Sequence, residues 1–199
     1  SAMAVTGRSS VDWKGGSIRR SATSYTGAVR VDRWGQTSSL SFEDVAFEDN
    51  VMEKDYGNDF SRSSGAAVSV DEAVDFSTKV TLSFLQCAFR NNVALENGGA
   101  VYLPKTVESA SFESCVFEGN KATAGGGDDV FVKEGVAAGA VRIVDADIKI
   151  ADVALHAGGR AGFEAEDSKS FAQCGGGGGG GGACSSSSSR CLNRTTTFH

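Results

Sequence analysis

A ten-residue pattern occurs three times in this chain, and it restricts the possible folds more than any other feature. The copies lie at residues 41–50, 83–92 and 111–120, and each reads S-F-x-x-(C/V)-x-F-x-x-N. A turn of small residues and an alternating apolar segment follow each copy, at residues 65–70, 98–103 and 125–132. Self-similarity of this kind indicates a solenoid or another repeat architecture.

The spacing of the copies indicates one structural unit per copy. The second and third copies are 28 residues apart, whereas the first and second are 42 apart. Two insertions explain the difference: nine residues between Asn50 and Val68, and five between Val70 and Phe84. Both fall between strand-like segments, where loops tolerate added length. The first unit therefore carries two enlarged loops.

The flanks of these units set the predicted boundaries. A degenerate copy follows, with Val141, Ile143, Ala146 and Ile148 in the apolar positions, and residues 27–31 match the end of an earlier unit. The repeat region is predicted to span residues 26–163. Residues 1–25 are expected to be an irregular lead-in or cap that starts with a cloning remnant. Residues 164–199 form a Gly- and Ser-rich low-complexity tail, which we expect to be disordered.

Period-2 alternation predicts the secondary structure of each unit. The alternating pairs are Leu82 and Phe84, Cys87 and Phe89, and Val101 and Leu103. Each pair marks a short strand, and helical spacing fits none of them. Equivalent strands of successive units can pair in parallel. The sequence thus predicts an all-β fold: a single-stranded right-handed parallel β-helix of about four coils with three short strands per coil. An antiparallel sandwich would not explain the repetition of individual inward positions.

Stacking the units sorts the repeated side chains into columns. Phe42, Phe84 and Phe112 form one interior column, and Phe47, Phe89 and Phe117 form a second. Asn50, Asn92 and Asn120 fall at a corner, where amide groups can bond to the coils above and below as a structural ladder.

The chain has five cysteines, which are the candidates for disulfide bonds and zinc binding. Cys87 and Cys115 share an inward position with Val45, so we expect buried free thiols, because in-register neighbours seldom satisfy disulfide geometry. The spacing of Cys174, Cys184 and Cys191 fits no zinc pattern, and their pairing state is open.

The repeat resembles that of a known family. F-x-x-N, as in Phe47 to Asn50, Phe89 to Asn92 and Phe117 to Asn120, and G-G-A-hydrophobic, as in Gly98 to Val101, resemble the repeats of the polymorphic outer membrane protein family. The resemblance covers roughly residues 40–132. It implies a right-handed β-helix passenger region on a cell surface, associated with adhesion. Similar repeats also occur in extracellular proteins of eukaryotes.

Charge and hydropathy exclude some partners. The chain has 19 basic and 25 acidic side chains and a net charge of -6, which disfavours nucleic acid and anionic membrane surfaces as partners. No run of 18 or more apolar residues is present, so membrane insertion is not expected. A polysaccharide or a cell-surface protein is the expected partner.

Candidate binding residues lie at outward positions and in the first enlarged loop. Tyr102 and Phe131 are adjacent outward aromatics that could stack on a sugar or contact a partner protein, unless a loop covers them. Arg30 points outward from the same strand position. Lys54, Tyr56 and Arg62 lie in the enlarged loop, which is either a recognition surface or a solvated mobile loop.

The metal and enzyme hypotheses have weaker support. Asp128 and Asp129 could bind calcium only with oxygen ligands from other loops, and no other cofactor is expected. The outward positions predicted for the strands do not stack acidic residues on adjacent coils, as a glycosidase or lyase site would require. We therefore expect a non-enzymatic extracellular or cell-surface structural and adhesion module that could bind carbohydrate. A polysaccharide lyase, epimerase or hydrolase of β-helix fold is the alternative.

Overall fold

A computed structural model describes residues 2–23, 26–31, 38–53, 64–71, 79–133, 135–137 and 140–146, together with strands at 153–155 and 163–166. The regular structure within these residues is β-strand, with no helix, and it forms four parallel sheets stacked as a solenoid of about four turns. The predicted all-β parallel solenoid is confirmed.

The strands are assigned to sheets by their pairing. Sheet 1 contains, in order, β2 (Ser10–Lys14), β6 (Ser38–Glu43), β10 (Val80–Leu85), β14 (Val107–Glu113), β18 (Val141–Val144) and β20 (Phe163–Glu166). Sheet 2 contains β3 (Ser17–Arg19), β7 (Ala46–Glu48), β11 (Ala88–Arg90) and β15 (Val116–Glu118). Sheet 3 contains β4 (Ala22–Thr23), β8 (Val51–Met52), β12 (Val93–Ala94) and β16 (Lys121–Ala122). Sheet 4 contains β1 (Met3–Val5), β5 (Val29–Val31), β9 (Val68–Val70), β13 (Val101–Leu103), β17 (Val130–Val132) and β19 (Val153–Leu155).

Each of the four coils that begin at β2, β6, β10 and β14 contributes one strand to each sheet. The chain passes through sheets 1, 2, 3 and 4 and then re-enters sheet 1 one layer further on. The sequence pattern predicted three strands per coil, and the structure adds a fourth in sheet 3. Strands of this sheet have two residues each, which is too short for alternation to be recognised in a sequence.

The strand register places the repeated residues as predicted. Phe84 pairs with Phe42 on one side and with Phe112 on the other. Phe89 lies in the same way between Phe47 and Phe117. The two insertions fall between β8 and β9 and between β9 and β10, so neither interrupts a strand.

The solenoid begins earlier than the repeat pattern indicated. Within the segment expected to be an irregular lead-in, β1 to β4 pair in parallel with β5 to β8. Val11 and Trp13 take the positions of Leu40 and Phe42. These residues keep the period-2 alternation but lack the ten-residue signature, so a search for the signature misses this coil.

Two columns of phenylalanine rings fill the interior. Ring centroids in the first column are 5.5 Å apart for Phe42 and Phe84 and 5.0 Å apart for Phe84 and Phe112, with nearly parallel planes. The second column, around Phe89, has separations of 4.8 and 4.6 Å. Rings of different columns meet edge to face, at 5.3 Å between Phe84 and Phe89. Both geometries are favourable for aromatic pairs, so the core combines apolar burial with oriented ring contacts.

The corners of the coil use left-handed backbone. The residue directly after each sheet 1 strand from β2 to β18 has a φ of 45° to 72°, and these residues are Gly15, Asp44, Gln86, Ser114 and Asp145. Between sheets 2 and 3 the corner residues have φ values of 53° to 65° and are Arg20, Asp49, Asn91 and Gly119. Asn, Asp and Gly occupy this region at lower cost than other residues, which explains most of the residue types at these positions.

Candidate functional site

The predicted aromatic pair on sheet 4 is present, but it is not exposed. Arg30, Ser69, Tyr102 and Phe131 are consecutive outward neighbours in the register of β5, β9, β13 and β17. The rings of Tyr102 and Phe131 stack with centroids 5.8 Å apart and planes 10° apart. Their exposed fractions are only 2% and 7%, however, and that of Ser69 is 0%. Sheet 4 is therefore buried on both faces here, so of the two alternatives the covered one is present, and ligand binding by these rings stays a prediction. Alternation gives the direction of a side chain, but exposure depends on what else packs there.

Replacement of Tyr102 by leucine tests this covered arrangement. We expect a loss of about 1 to 2 kcal/mol in the free energy of unfolding, because the stack with Phe131 is lost while apolar burial is largely kept. Urea denaturation of the two proteins gives this difference. An unchanged unfolding free energy would mean that the rings are open to solvent.

Arg30 also contacts another residue of the chain, Asp71. Its Nη2 lies 2.6 Å and its Nε 3.2 Å from Oδ2 of Asp71, which is itself buried. Charge-assisted bonds from both guanidinium nitrogens fix the Arg30 side chain at the edge of the covered sheet. The other predicted binding residues, Lys54, Tyr56 and Arg62, lie outside the described residues and remain predictions.

The two aspartates proposed for calcium have hydrogen-bond partners within the protein. Asp128 Oδ1 accepts a hydrogen bond from the amide of Ala122 at 2.8 Å, and Asp129 Oδ1 accepts one from Asn120 Nδ2 at 2.8 Å. In the part of the chain that the structure describes, no group of three or more His, Cys, Asp or Glu side chains is arranged to hold a metal ion. Calcium at this pair stays a prediction.

The asparagine ladder is present, and its central member uses every hydrogen-bonding position of the amide. Asn92 Nδ2 donates to Asn120 Oδ1 and to the Phe47 carbonyl, both at 2.9 Å. Asn92 Oδ1 accepts from Nδ2 of Asn50 at 2.9 Å and from its backbone amide at 3.3 Å. Asn92 is fully buried, so these four bonds satisfy a side chain that would otherwise be costly to bury.

The two end members of the asparagine ladder, Asn50 and Asn120, bond to different groups. At the first coil, Oδ1 of Asn50 accepts a bond from the amide of Ser21 at 3.1 Å. At the other end, Nδ2 of Asn120 donates to the buried carboxylate of Asp129. Asp129 therefore continues the ladder, a role that its position nine residues after Asn120 did not suggest.

Sheet 1 has an accessible outer face that carries two rows of hydroxyl groups. The rows run across the coils at positions two residues apart along each strand. Ser39 is exposed and the other five are half-buried; the rows are Ser39, Thr81 and Ser109, and Ser41, Ser83 and Ser111. We call this set the hydroxyl face.

The strand geometry makes the hydroxyl face a regular array. The strand positions that carry the hydroxyls repeat about every 4.8 Å across the coils and about every 6.6 Å along a strand. Ser111 Oγ lies 3.4 Å from Ser83 Oγ, within hydrogen-bonding distance. Asp12 and Arg142 extend the second row at its two ends, and both are exposed. Period-2 alternation around the buried phenylalanines predicts that Ser41, Ser83 and Ser111 point outward, but the array they form was not predicted. The recurring S/T-x-S before each Phe was the available signal.

The outer face of sheet 2 carries alternating charges. Arg19, Glu48, Arg90 and Glu118 follow one another in the register of β3, β7, β11 and β15. Arg90 Nη1 lies 3.1 Å from Glu48 Oε1, and Arg90 Nε lies 3.5 Å from Glu118 Oε2. These ion pairs are partly exposed and contribute little net stability each, but the alternation avoids repulsion between stacked coils.

Comparisons with known proteins found no relative, so the chain is classified by its fold alone. The described residues contain no helix that is long and apolar enough to cross a membrane. The chain matches no protein-family model, no curated protein and no solved structure. The geometry defines it as a parallel β-solenoid, and the resemblance of its repeat to the polymorphic outer membrane protein family remains a prediction.

Proposed function

We propose that this chain is a non-enzymatic structural and adhesion module, extracellular or on a cell surface, and that its hydroxyl face binds an extended neutral polysaccharide. The accessible double row of hydroxyls on sheet 1 is the observation that carries the proposal. The resemblance of the repeat to surface-exposed β-helix passengers agrees with this location.

The chemistry of the hydroxyl face favours a neutral sugar polymer. Hydroxyl groups donate and accept hydrogen bonds, as sugar hydroxyls do. The centre of the face carries no cationic side chain that would select an acidic polymer, and the whole chain has a net charge of -6. Because the same contact recurs on successive coils, an extended chain can gain several weak contacts at once.

The hydroxyl face is also rigid. The strands that carry the hydroxyls are fixed from the inside by Phe42, Phe84 and Phe112, which are fully buried. A pre-organised surface loses less conformational entropy on binding than a mobile loop does. The face can therefore bind with useful avidity although each hydroxyl contributes little.

Replacement of Ser83 by lysine tests the hydroxyl face. Ser83 lies at its centre, so a long charged side chain should prevent a polymer from lying flat, and retention on insoluble neutral β-glucans should fall at least about tenfold. Val93→Lys is the matched control: it adds the same charge on sheet 3, where Lys121 naturally occupies the next position. We expect its retention to equal that of the unchanged chain.

The same retention assay also distinguishes the proposed function from an enzyme, from binding at another surface and from no carbohydrate binding. A polysaccharide panel read for both retention and released sugars would overturn the non-enzymatic proposal if any polymer were cleaved. Retention that Ser83→Lys and Val93→Lys reduce equally would place the binding surface elsewhere. The absence of retention on every neutral polymer would contradict the carbohydrate proposal.

A further inference from the structure

The end of the solenoid formed by β1 to β4 leaves part of the core uncovered, and the proposed function does not use this end. Val11 and Trp13 take the inward positions that Leu40 and Phe42 hold one coil later. Leu40 and Phe42 are fully buried, whereas Val11 is half-buried and 37% of Trp13 is exposed. Trp13 is the one large apolar residue that is exposed in the part of the chain that the structure describes. This end is therefore apolar and accessible.

The same end carries free strand edges. Within the described residues, β1, β2, β3 and β4 are each the outermost strand of their sheet. The carbonyl of Ser9 and the amide of Gly15 bond to β6, at 3.0 and 2.7 Å, so the odd-numbered residues of β2 face β6. Because successive residues direct their main-chain groups to opposite sides of a strand, those of Asp12 and Lys14 point to the free edge. Such an edge is a template for pairing with another chain.

Opposite charges flank Trp13 at this edge. Asp12 and Lys14 are both exposed, and both side chains point outward, because period-2 alternation separates them from the inward position of Trp13. Lys14 Nζ lies 2.6 Å from Glu43 Oε1, yet 75% of the Lys14 side chain stays exposed. The edge thus presents one carboxylate and one accessible ammonium group on the same face, two residues apart.

A two-fold axis at the edge brings these charges together in a second copy of the chain. If two β2 strands pair antiparallel with Trp13 at the centre, Asp12 of each copy lies opposite Lys14 of the other, in a hydrogen-bonded pair. Trp13 then faces its own counterpart in the non-hydrogen-bonded position, where side chains are closest. A pairing centred on Asp12 would place two carboxylates opposite each other, which is unfavourable. The charges therefore select the register centred on Trp13.

We propose that two copies of this chain associate head to head, with their β2 strands paired antiparallel and Asp12 of each copy beside Lys14 of the other. The contact covers Trp13 and satisfies the free edge of sheet 1. Because a two-fold contact uses the same patch on both copies, it closes as a dimer. The axis is perpendicular to sheet 1, so the two hydroxyl faces lie on the same side of one continuous sheet. The dimer does not depend on the carbohydrate proposal.

Sedimentation equilibrium of the full-length chain at several concentrations tests the dimer. We expect an equilibrium between monomer and dimer, without larger species. Asp12→Lys places two lysines opposite each other in both pairs, so the dissociation constant should rise at least about tenfold. Glu113→Lys is the matched control: it makes the same change of charge on sheet 1, three coils away, where Leu85 and Val144 are the register neighbours. We expect its dissociation constant to equal that of the unchanged chain.

Exchange of the two charges tests the register. Asp12→Lys combined with Lys14→Asp restores opposite charges across the axis, so most of the lost affinity should return. The lost ion pair with Glu43 is exposed and costs little, and thermal unfolding verifies that each variant folds. An unchanged chain that stays monomeric, or assemblies that grow without limit through head-to-tail contacts, would contradict the proposal. So would equal weakening by Asp12→Lys and Glu113→Lys, or a double variant as weak as Asp12→Lys alone.

Discussion

Replacement of Asn92 by leucine is expected to lower the free energy of unfolding by about 4 kcal/mol, the largest effect of any single polar substitution that we predict. Leucine has a similar volume but makes none of the four hydrogen bonds of Asn92. The groups left without this partner include the Asn50 amide, Asn120 Oδ1 and the Phe47 carbonyl. Each buried polar group that loses its partner costs about 1 to 3 kcal/mol.

Equilibrium urea denaturation measures this effect, and the adjacent residue supplies the control. Asn91 is exposed and has a φ of 53°, and Gly119 occupies the same corner position one coil later. Asn91→Gly should therefore change the free energy of unfolding by less than about 1 kcal/mol. Equal losses in the two variants would show that the corner backbone, and not the ladder, determines stability.

Replacement of Phe84 by alanine should be comparably severe, with an expected loss of about 3 to 5 kcal/mol. Phe84 is fully buried between Phe42 and Phe112 in its column, with ring centroids 5.5 and 5.0 Å away, and it meets the rings of the second column edge to face. Alanine removes these contacts and leaves a cavity that stacked coils cannot easily close, because each is hydrogen-bonded to both neighbours.

An isoleucine at the same position is the matched comparison. Ile143 continues the column of Phe84 two coils later, so the interior accepts this side chain. We expect Phe84→Ile to cost about 1 to 2 kcal/mol, since most of the apolar volume is kept and the ring contacts are lost. Thermal and urea unfolding of both variants would check the order. Equal losses would mean that oriented ring contacts, more than filled volume, stabilise the core.

Local sequence patterns were sufficient for the interior of the solenoid. Phe84, Phe89 and Asn92 recur at fixed offsets, and because a strand alternates its side chains with period 2, those offsets determine which residues point inward. The same periodicity placed the two insertions between strands. It did not identify the first coil, where Val11 and Trp13 keep the alternation without the signature.

The sequence by itself determined which way each strand residue points and which residues stack across the coils, because both follow from strand periodicity and from the repeat. Only the tertiary structure decided which outward faces are open. Tyr102 and Ser83 both point outward, yet Tyr102 is buried and Ser83 is only half-buried. Strand periodicity sets the direction of a side chain but not its exposure, which depends on the rest of the fold, so no local pattern encodes it. Within the described residues, the hydroxyl face reaches solvent and the aromatic pair does not.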